Sequence, residues 1–269
     1  MRFFNILKNL YKDKIYGECK DLGDMPYIEN WTLENRQRLS IIYPLYVENK
    51  DSINNVFQML KAYEKMDSEL KSLLDIIIVD DGSPVNIDWP KFELNLSVLH
   101  ILENIKWNSG GAKNLGVCYS ATKRLIISDI DHFFPEDTLS WCMSVKETEY
   151  IYCFNQLEIQ NGGGILDLHH PHPNIFFLTK KNYFDLHGYD EDFCGYYGDD
   201  IFFRKYLLKN FKNKVFIAPK NSYIKEFKEA FKLKRRVNCK RILFFKQYKH
   251  SLDFLRFNWK LILSTSFTN

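Results

Sequence analysis

Two aspartates that follow an apolar run are the residues best suited to bind a metal ion. Asp129 and Asp131 flank Ile130 directly after residues 125–128, a run that predicts a strand. Carboxylate oxygens are the ligands that Mg²⁺ and Mn²⁺ prefer, and these cations bind largely through substrate phosphates. A cation held there could stabilise the charge on a departing diphosphate. Because aspartates after a strand also close turns, the tripeptide alone leaves both interpretations open.

Two further aspartate pairs follow a predicted strand or open a predicted helix. Asp80 and Asp81 come after the β-branched run 76–79, where a carboxylate could accept a hydrogen bond from a pyrimidine N–H or could close an Asx turn. Asp199 and Asp200 stand where a helix is predicted to begin, and a carboxylate there could take the proton of an acceptor hydroxyl. Either residue could also cap that helix, and the two roles are compatible.

A glycine-rich segment and a histidine cluster are the other candidates for ligand binding. Gly111 and Lys113 lie at a predicted helix start, where backbone N–H groups and the ammonium could face phosphate. The alternative is a plain loop with a solvated lysine, and the spacing is not the G-x-G-x-x-G of a dinucleotide-binding turn. His169, His170 and His172 stand between glycines and prolines, which favours a mobile surface loop, with His172 as a candidate metal ligand.

Alternating strand and helix patterns must position these residues. The patterns predict strands at 39–46, 76–79, 96–102, 125–128, 149–157 and 174–179 and helices at 51–63, 112–122 and 199–208. The last two strands are separated by a predicted loop over residues 160–173. Because the early strands are continuously apolar, we expect a mostly parallel sheet covered on both faces. Ligands of such sheets lie outside the carboxyl ends of the strands.

Composition places the chain among folded proteins. With 269 residues, 45% of them hydrophobic, it is long enough for one large domain, and its net charge of +3 does not imply nucleic-acid binding. The 6 cysteines include no CxxC pair, which indicates free thiols in a reducing compartment. The N-terminus lacks a signal-peptide core, and no run reaches the ~20 apolar residues of a membrane span. We therefore expect a cytoplasmic protein, either free or peripheral on the inner face of a membrane.

The C-terminal region is basic and aromatic. Residues 222–269 combine clustered Lys and Arg with Phe and Trp at helical spacing, which predicts one or two amphipathic helices. Such helices could pack on the catalytic domain or bind anionic lipid headgroups. Nucleic acid is the weakest partner, because no recognition module accompanies the charge. We thus expect a peripheral segment at 1–38, a catalytic domain at 39–221 and a helical extension at 222–269.

Five motifs in one order give the sequence a family resemblance. They are Ser40-Ile41-Ile42-Tyr43-Pro44-Leu45-Tyr46, Ile78-Val79-Asp80-Asp81-Gly82-Ser83, Asn108-x-Gly110-Gly111-Ala112-Lys113-Asn114-Leu115-Gly116, Asp129-Ile130-Asp131, and Gly188-Tyr189-Asp190-Glu191 followed by Gly198-Asp199-Asp200. Together they resemble the inverting family-2 glycosyltransferases of the GT-A fold, over about residues 39–208. The set is far more specific than any single motif.

The resemblance implies roles for individual residues of the site. It implies that Asp200 is the catalytic base beside Asp199, and that Asp131 binds Mn²⁺ or Mg²⁺ with Asp129 in support and His172 as a further candidate. It implies donor-nucleotide contacts from Pro44, Tyr46, Glu48, Asp80 or Asp81, Gly111, Lys113, Asn114 and Ile130. The usual Glu-Asp pair of the family is Asp199-Asp200 here, which leaves the role of the first carboxylate in acceptor binding open.

These observations predict a metal-dependent glycosyltransferase with a GT-A-type, mostly parallel sheet flanked by helices. The expected reaction moves a sugar from a UDP-sugar to a glycan or glycolipid hydroxyl, in the synthesis of a cell-surface polysaccharide or lipid-linked glycan. The Gln-x-x-Arg-Trp motif of processive synthases is absent, which favours single additions. Two alternatives remain: a sugar-nucleotide nucleotidyltransferase, although residues 43–46 are not its glycine-rich loop, and a catalytically silent sugar- or membrane-binding module of the same fold.

Overall fold

A computed structural model describes ten parts of the chain: residues 20–21, 36–49, 53–145, 150–159, 165–195, 199–211, 215–218, 223–226, 250 and 253–267. The strands are β1 Lys20–Asp21, β2 Leu39–Leu45, β3 Leu74–Asp80, β4 Asn95–Ile101, β5 Arg124–Ile127, β6 His132–Phe133, β7 Ile151–Ile159, β8 Ile165–Thr179, β9 Val215–Ile217, β10 Tyr223–Glu226 and β11 Trp259–Thr265. The α-helices are α1 Ile53–Glu64, α2 Ser68–Leu73, α3 Ser109–Tyr119, α4 Glu136–Ser144, α5 Lys180–Asp185 and α6 Asp199–Phe211.

One mixed sheet contains all of the described strands. Its main order is β1-β9-β7-β8-β5-β2-β3-β4-β11, with β10 beside β7 and β6 beside β10. The neighbours β5, β2, β3 and β4 are parallel, whereas β8 is antiparallel to β5 and β7, and β11 is antiparallel to β4. The chain runs from β2 outward to β4 and returns to β5 on the other side of β2. Ligands of α/β sheets bind at such a switch point.

Continuous apolar strands bury both faces of the parallel part. In β3, Ile76 and Ile78 pack into the cluster that includes α1 and α4, whereas Ile77 and Val79 pack into the cluster that includes α3 and α6. Burying each such side chain stabilises the fold by about 1.5–3 kcal/mol. The predicted mostly parallel sheet flanked by helices is therefore confirmed.

The C-terminal region is not helical where it is described. Tyr223–Glu226 is strand β10 and Trp259–Thr265 is strand β11, so the prediction of a helical extension is wrong for these residues. The open edge of β4 offers unpaired backbone groups to β11, and the apolar residues Trp259, Leu261 and Leu263 recur at the period of a strand. Residues 227–249, which contain much of the basic cluster expected to bind lipid, lie outside the described residues.

The predicted loop at 160–173 is also a strand in most of its length. Strand β8 begins at Ile165 and includes His172, so the mobile-loop interpretation of this histidine is wrong. Proline cannot donate to a strand ladder and is tolerated at irregularities. Pro171 pairs with Asn155 of β7, where the register shifts on both sides of Asn155. None of the described helices is long and apolar enough to cross a membrane.

Candidate active site at the carboxyl edge of the sheet

The turn after β3 fixes its two aspartates in different ways. Asp80 accepts a hydrogen bond from the backbone N–H of Ser83 at 2.9 Å, and its second oxygen lies 2.8 Å from Nδ1 of His100. Asp81 accepts from the backbone N–H of Asn108 at 3.0 Å, just before α3. Asp80 therefore shapes the predicted Asx-type turn, whereas Asp81 joins the end of β3 to the start of α3.

The residues after β2 lie against the same turn. Pro44 pairs with Val79 inside the sheet, and Tyr46 follows the strand half-buried. The backbone N–H of Val47 donates to Oγ of Ser83 at 2.9 Å, which joins the two strand ends. Glu48 is exposed beyond them. The predicted donor residues on β2 and β3 thus share one edge of the sheet.

A buried lysine is the electrostatic centre of that edge. The side chain of Lys113 is 1% exposed, and its Nζ lies 2.9 Å from Oδ1 of Asp129. Burial lowers the pKa of Lys113, but the charges of Asp129, Tyr189 and Asp199 and the hydrogen bond to Asp129 together outweigh burial, and the net shift is upward. Burial conversely raises the pKa of Asp129, yet Lys113, through its charge and its hydrogen bond, together with the neighbouring histidines outweighs burial and brings the pKa to about 2. Both groups are therefore charged at neutral pH.

Asp131 is two residues beyond Asp129 and is held by a histidine. Its Oδ1 lies 2.7 Å from Nδ1 of His132, whose backbone oxygen accepts a hydrogen bond from the buried hydroxyl of Tyr43 at 2.9 Å. The hydroxyls of Tyr43 and Tyr63 are 2.8 Å apart, and Tyr63 also accepts from the N–H of Phe134. The sequence analysis missed this tyrosine pair, which fixes the segment after Asp131.

His172 on β8 faces the same segment. Its ring lies 4.3 Å from the ring of His132, measured between centroids. Burial and repulsion by His132 lower the pKa of His172 to about 3, so its imidazole is neutral. The backbone N–H of Asn174 donates to its Nδ1 at 3.2 Å. Ile130 is half-buried and packs against the hydrophobic core, so its predicted donor contact is limited to its exposed part.

The donor atoms present fit a cation that is held mainly by substrate. The described residues contain no cluster of three His, Cys, Asp or Glu side chains arranged to hold a metal. Asp129 uses one oxygen for Lys113 and the other for the amide of Asn174, at 2.9 and 3.3 Å. Asp131 is the less constrained carboxylate, which fits a Mg²⁺ or Mn²⁺ ion that keeps most of its other positions for phosphates and water.

The second acidic pair opens α6 close to the start of α3. Asp199 is buried, and a Cβ atom on Gly110 would lie 3.3 Å from its Oδ2. Burial and the charge of Asp200 raise the pKa of Asp199 to about 6. Oδ1 of Asp200 is buried and lacks a hydrogen-bond partner among the described residues. One carboxylate thus titrates near neutrality, and the other has an oxygen free to accept a proton.

Two predicted donor residues on α3 also have structural roles. Asn114 donates to the backbone oxygen of Tyr189 and to Glu191, and accepts from Tyr183 and from the N–H of Tyr189, so its amide is fully used inside the protein. Gly111 leaves room for two neighbours, because a Cβ there would clash with Asn108 and lie 2.8 Å from the ring of Phe257. Both residues thus contribute to packing, and their contact with the donor stays a prediction.

Glu191 attaches the C-terminal segment to this framework. Its Oε1 accepts from Asn114 and from the N–H of Leu255 at 2.8 and 2.9 Å, and its Oε2 accepts from the N–H of Arg256 at 3.1 Å. The segment before β11 thereby packs on the start of α3. Sequence reasoning missed this link, because Glu191 and its partners are distant in the chain.

Comparisons with known proteins agree with this arrangement. The sequence matches the family model described as "Glycosyl transferase family 2" over residues 40–212. No curated protein matches the chain. The fold is similar to residues 1–349 of S. aureus TarS, at 16% identity over 71% of this chain and 60% of that chain, with a TM-score of 0.54.

Two similar structures contain nucleotide sugars. S. aureus TarS 1–349 in complex with UDP-GlcNAc aligns at 16% identity over 72% of this chain and 62% of that chain, with a TM-score of 0.52. A mannosyltransferase from Pyrobaculum calidifontis, PcManGT, in complex with GDP-Man and Mn²⁺ aligns at 16% identity over 82% of this chain and 65% of that chain, with a TM-score of 0.50. At this identity the likeness concerns the fold, and the chain spans less than two thirds of each structure.

Removing the counter-ion of Lys113 should destabilise the folded protein. We expect Asp129→Asn to lower the free energy of unfolding by about 3–5 kcal/mol, because it leaves a buried ammonium uncompensated. Adding Lys113→Met should recover most of that loss, as measured by urea denaturation. Asp185→Asn, in the exposed pair with Lys181, is the matched control and should change stability by at most about 1 kcal/mol. A double variant no more stable than Asp129→Asn would contradict the assignment.

Proposed function

The chain belongs to glycosyl transferase family 2, and on that premise we propose that it transfers a sugar from a nucleoside-diphosphate sugar to a hydroxyl of a glycan or lipid-linked acceptor. We take the donor to be a UDP-sugar and the product to be a cell-surface polysaccharide or a lipid-linked glycan. The complexes of TarS with UDP-GlcNAc and of the mannosyltransferase with GDP-Man support a nucleotide-sugar donor. The carboxylates after β3 suit a base that presents an N–H, such as uracil.

The observation that supports this proposal best is Oδ1 of Asp200, which has no hydrogen-bond partner among the residues that the structure describes. A buried carboxylate oxygen without a hydrogen bond is unfavourable unless a ligand supplies the donor, and an acceptor hydroxyl is such a donor. Asp199 lies beside it, and the Lys113–Asp129 pair acts on Asp199 across the same edge. A proton-accepting carboxylate and a phosphate-side cluster therefore belong to one site.

The proposed reaction is a single displacement. Asp200 accepts the proton of the acceptor hydroxyl, whose oxygen forms a bond to the anomeric carbon of the donor sugar. The bond between that carbon and the diphosphate oxygen breaks, the nucleoside diphosphate leaves, and the configuration inverts. Asp199, which is ionised above its pKa of about 6, contributes negative charge beside the base. Lys113 acts indirectly, because its buried ammonium keeps Asp129 ionised.

A divalent metal is part of the proposal. Asp131 would hold Mn²⁺ or Mg²⁺, with Asp129 orienting the segment and His172 as the neutral imidazole available beside it. When bound, such a cation neutralises charge that develops on the leaving diphosphate. The mannosyltransferase complex with Mn²⁺ supports this choice of metal.

The role of Asp200 can be tested by an isosteric change. Asp200→Asn should lower kcat/KM for sugar transfer by about 10²–10⁴-fold, because the amide cannot accept the proton, whereas UDP binding should be retained. Transfer is followed as acceptor-dependent release of UDP in the presence of Mn²⁺. Asp185→Asn, on the exposed surface, is the control and should leave the rate unchanged.

The same assay separates the proposed reaction from its alternatives. Release of pyrophosphate from a nucleoside triphosphate and a sugar phosphate would indicate a nucleotidyltransferase. Binding of UDP-sugars without any transfer would indicate a silent binding module. Transfer at the wild-type rate by Asp200→Asn would remove Asp200 as the base.

The acidic pair also predicts a pH dependence. The raised pKa of Asp199, about 6, means that the pair holds an extra proton below that pH, so kcat/KM should fall as the pH drops through about 6. In Asp199→Asn the group with the raised pKa is absent, so the fall in kcat/KM around pH 6 should be lost. Profiles of kcat/KM from pH 4.5 to 8, measured for the wild type and Asp199→Asn, compare the two acid limbs. Identical acid limbs would contradict the coupling.

A further inference from the structure

Tyr189 has a rigidly held side chain with an unsatisfied hydroxyl. Its backbone N–H donates to Oδ1 of Asn114, and its backbone oxygen accepts from Nδ2 of Asn114, both at 2.9 Å. Its ring stacks on Phe203 at 4.3 Å between centroids and 9° between planes. The hydroxyl is buried and, within the parts of the chain that the structure describes, has no hydrogen-bond partner. The orientation of this phenol is therefore set by the fold and not by its hydroxyl.

The surroundings of this hydroxyl are those of the active site. Nζ of Lys113 lies 5.1 Å from the centre of the ring. Burial is the largest influence on the phenol and raises its pKa; Lys113 opposes this, and the carboxylates Asp199, Asp129 and Asp200 add to the increase. The hydroxyl consequently keeps its proton and can act as a hydrogen-bond donor. The charges of Asp129, Asp199 and Asp200 all act on this hydroxyl.

A structural explanation for the hydroxyl is lacking, because a phenylalanine would make the same ring contacts. A buried hydroxyl without a partner opposes folding, so its presence is explained if a ligand supplies the acceptor. Oδ1 of Asp200 is unsatisfied at the same site. The two orphaned atoms are complementary, since one can donate and the other can accept.

The charges around the Tyr189 hydroxyl determine which kind of ligand atom can bind it. Three carboxylates act on the phenol against one ammonium, and that ammonium is already paired with Asp129. Such a potential disfavours direct contact with an anionic phosphate and tolerates a neutral hydroxyl. The phenol is influenced by Asp129, on the diphosphate side, and by Asp199, on the side of the base. The transferred sugar must lie between those two groups during the proposed reaction.

We propose that the Tyr189 hydroxyl donates a hydrogen bond to a hydroxyl oxygen of the transferred sugar, which makes Tyr189 a further substrate-binding residue. The inference rests on the proposed glycosyl transfer and deepens it, because it names a residue that binds the sugar part of the donor. Gly110 leaves room for this side chain, since a Cβ there would lie 3.0 Å from Cβ of Tyr189.

Tyr189→Phe isolates the hydroxyl, because it keeps the ring and its stacking. Its melting temperature should equal that of the wild type or exceed it by up to about 4 °C, since an unsatisfied group is removed. Affinity for UDP should not change. Affinity for the sugar-bearing ligand, measured by isothermal titration with UDP-glucose, UDP-galactose and UDP-GlcNAc in Mn²⁺, should fall about 5- to 20-fold for the sugar that is bound.

Tyr183→Phe is the matched control. Its hydroxyl donates to Oδ1 of Asn114 at 2.5 Å, so its loss should lower the melting temperature and leave the ratio of UDP-sugar to UDP affinity unchanged. The inference is overturned if Tyr189→Phe has the wild-type ratio for all three UDP-sugars, or if it is less stable than the wild type. A wild-type protein that binds neither UDP nor any UDP-sugar would instead contradict the proposed function on which the inference rests.

Discussion

The buried ammonium of Lys113 is the constraint on which the acidic edge depends. A charge with 1% of its side chain exposed must be compensated within the protein, and Asp129 provides the compensation at 2.9 Å. This pair joins the second turn of α3 to the segment that follows β5. Because Asp129 is paired with Lys113, we propose Asp131 as the carboxylate that binds a metal. In the proposed site, Asp129 is therefore the supporting residue and Asp131 the metal ligand.

The remaining polar contacts hold this arrangement from two sides. The hydroxyls of Tyr43 and Tyr63 fix the segment after Asp131 from beneath the sheet. Asn114 and Glu191 fix the segment before α6 from the other face, and Glu191 also binds the backbone that leads to β11. The C-terminal strand is consequently part of the same sheet as the site. Residues that are distant in the chain, such as Asn114, Glu191 and Leu255, therefore meet beside α3.

The sequence predicted the parts that depend on local pattern. The apolar runs of β2, β3 and β5 identified the parallel strands, and the aspartates were correctly expected to follow the carboxyl ends of β3 and β5. What it could not predict depends on partners distant in the chain. Asn114 and Tyr189 are 75 residues apart, and Leu96 of β4 bonds to Thr265, 169 residues away. Helical periodicity also suggested helix for 259–265, because the open edge of β4 that makes them a strand is not visible in the local pattern.

In the proposed function, the edge around Lys113 binds a nucleotide together with a divalent cation at Asp131. The most direct measurement is the affinity for UDP with and without Mn²⁺, by isothermal titration, in the wild type and in Asp131→Asn. We predict that Mn²⁺ tightens UDP binding by about tenfold or more in the wild type and has little effect in the variant. A wild-type affinity that is the same with and without Mn²⁺ would contradict the account.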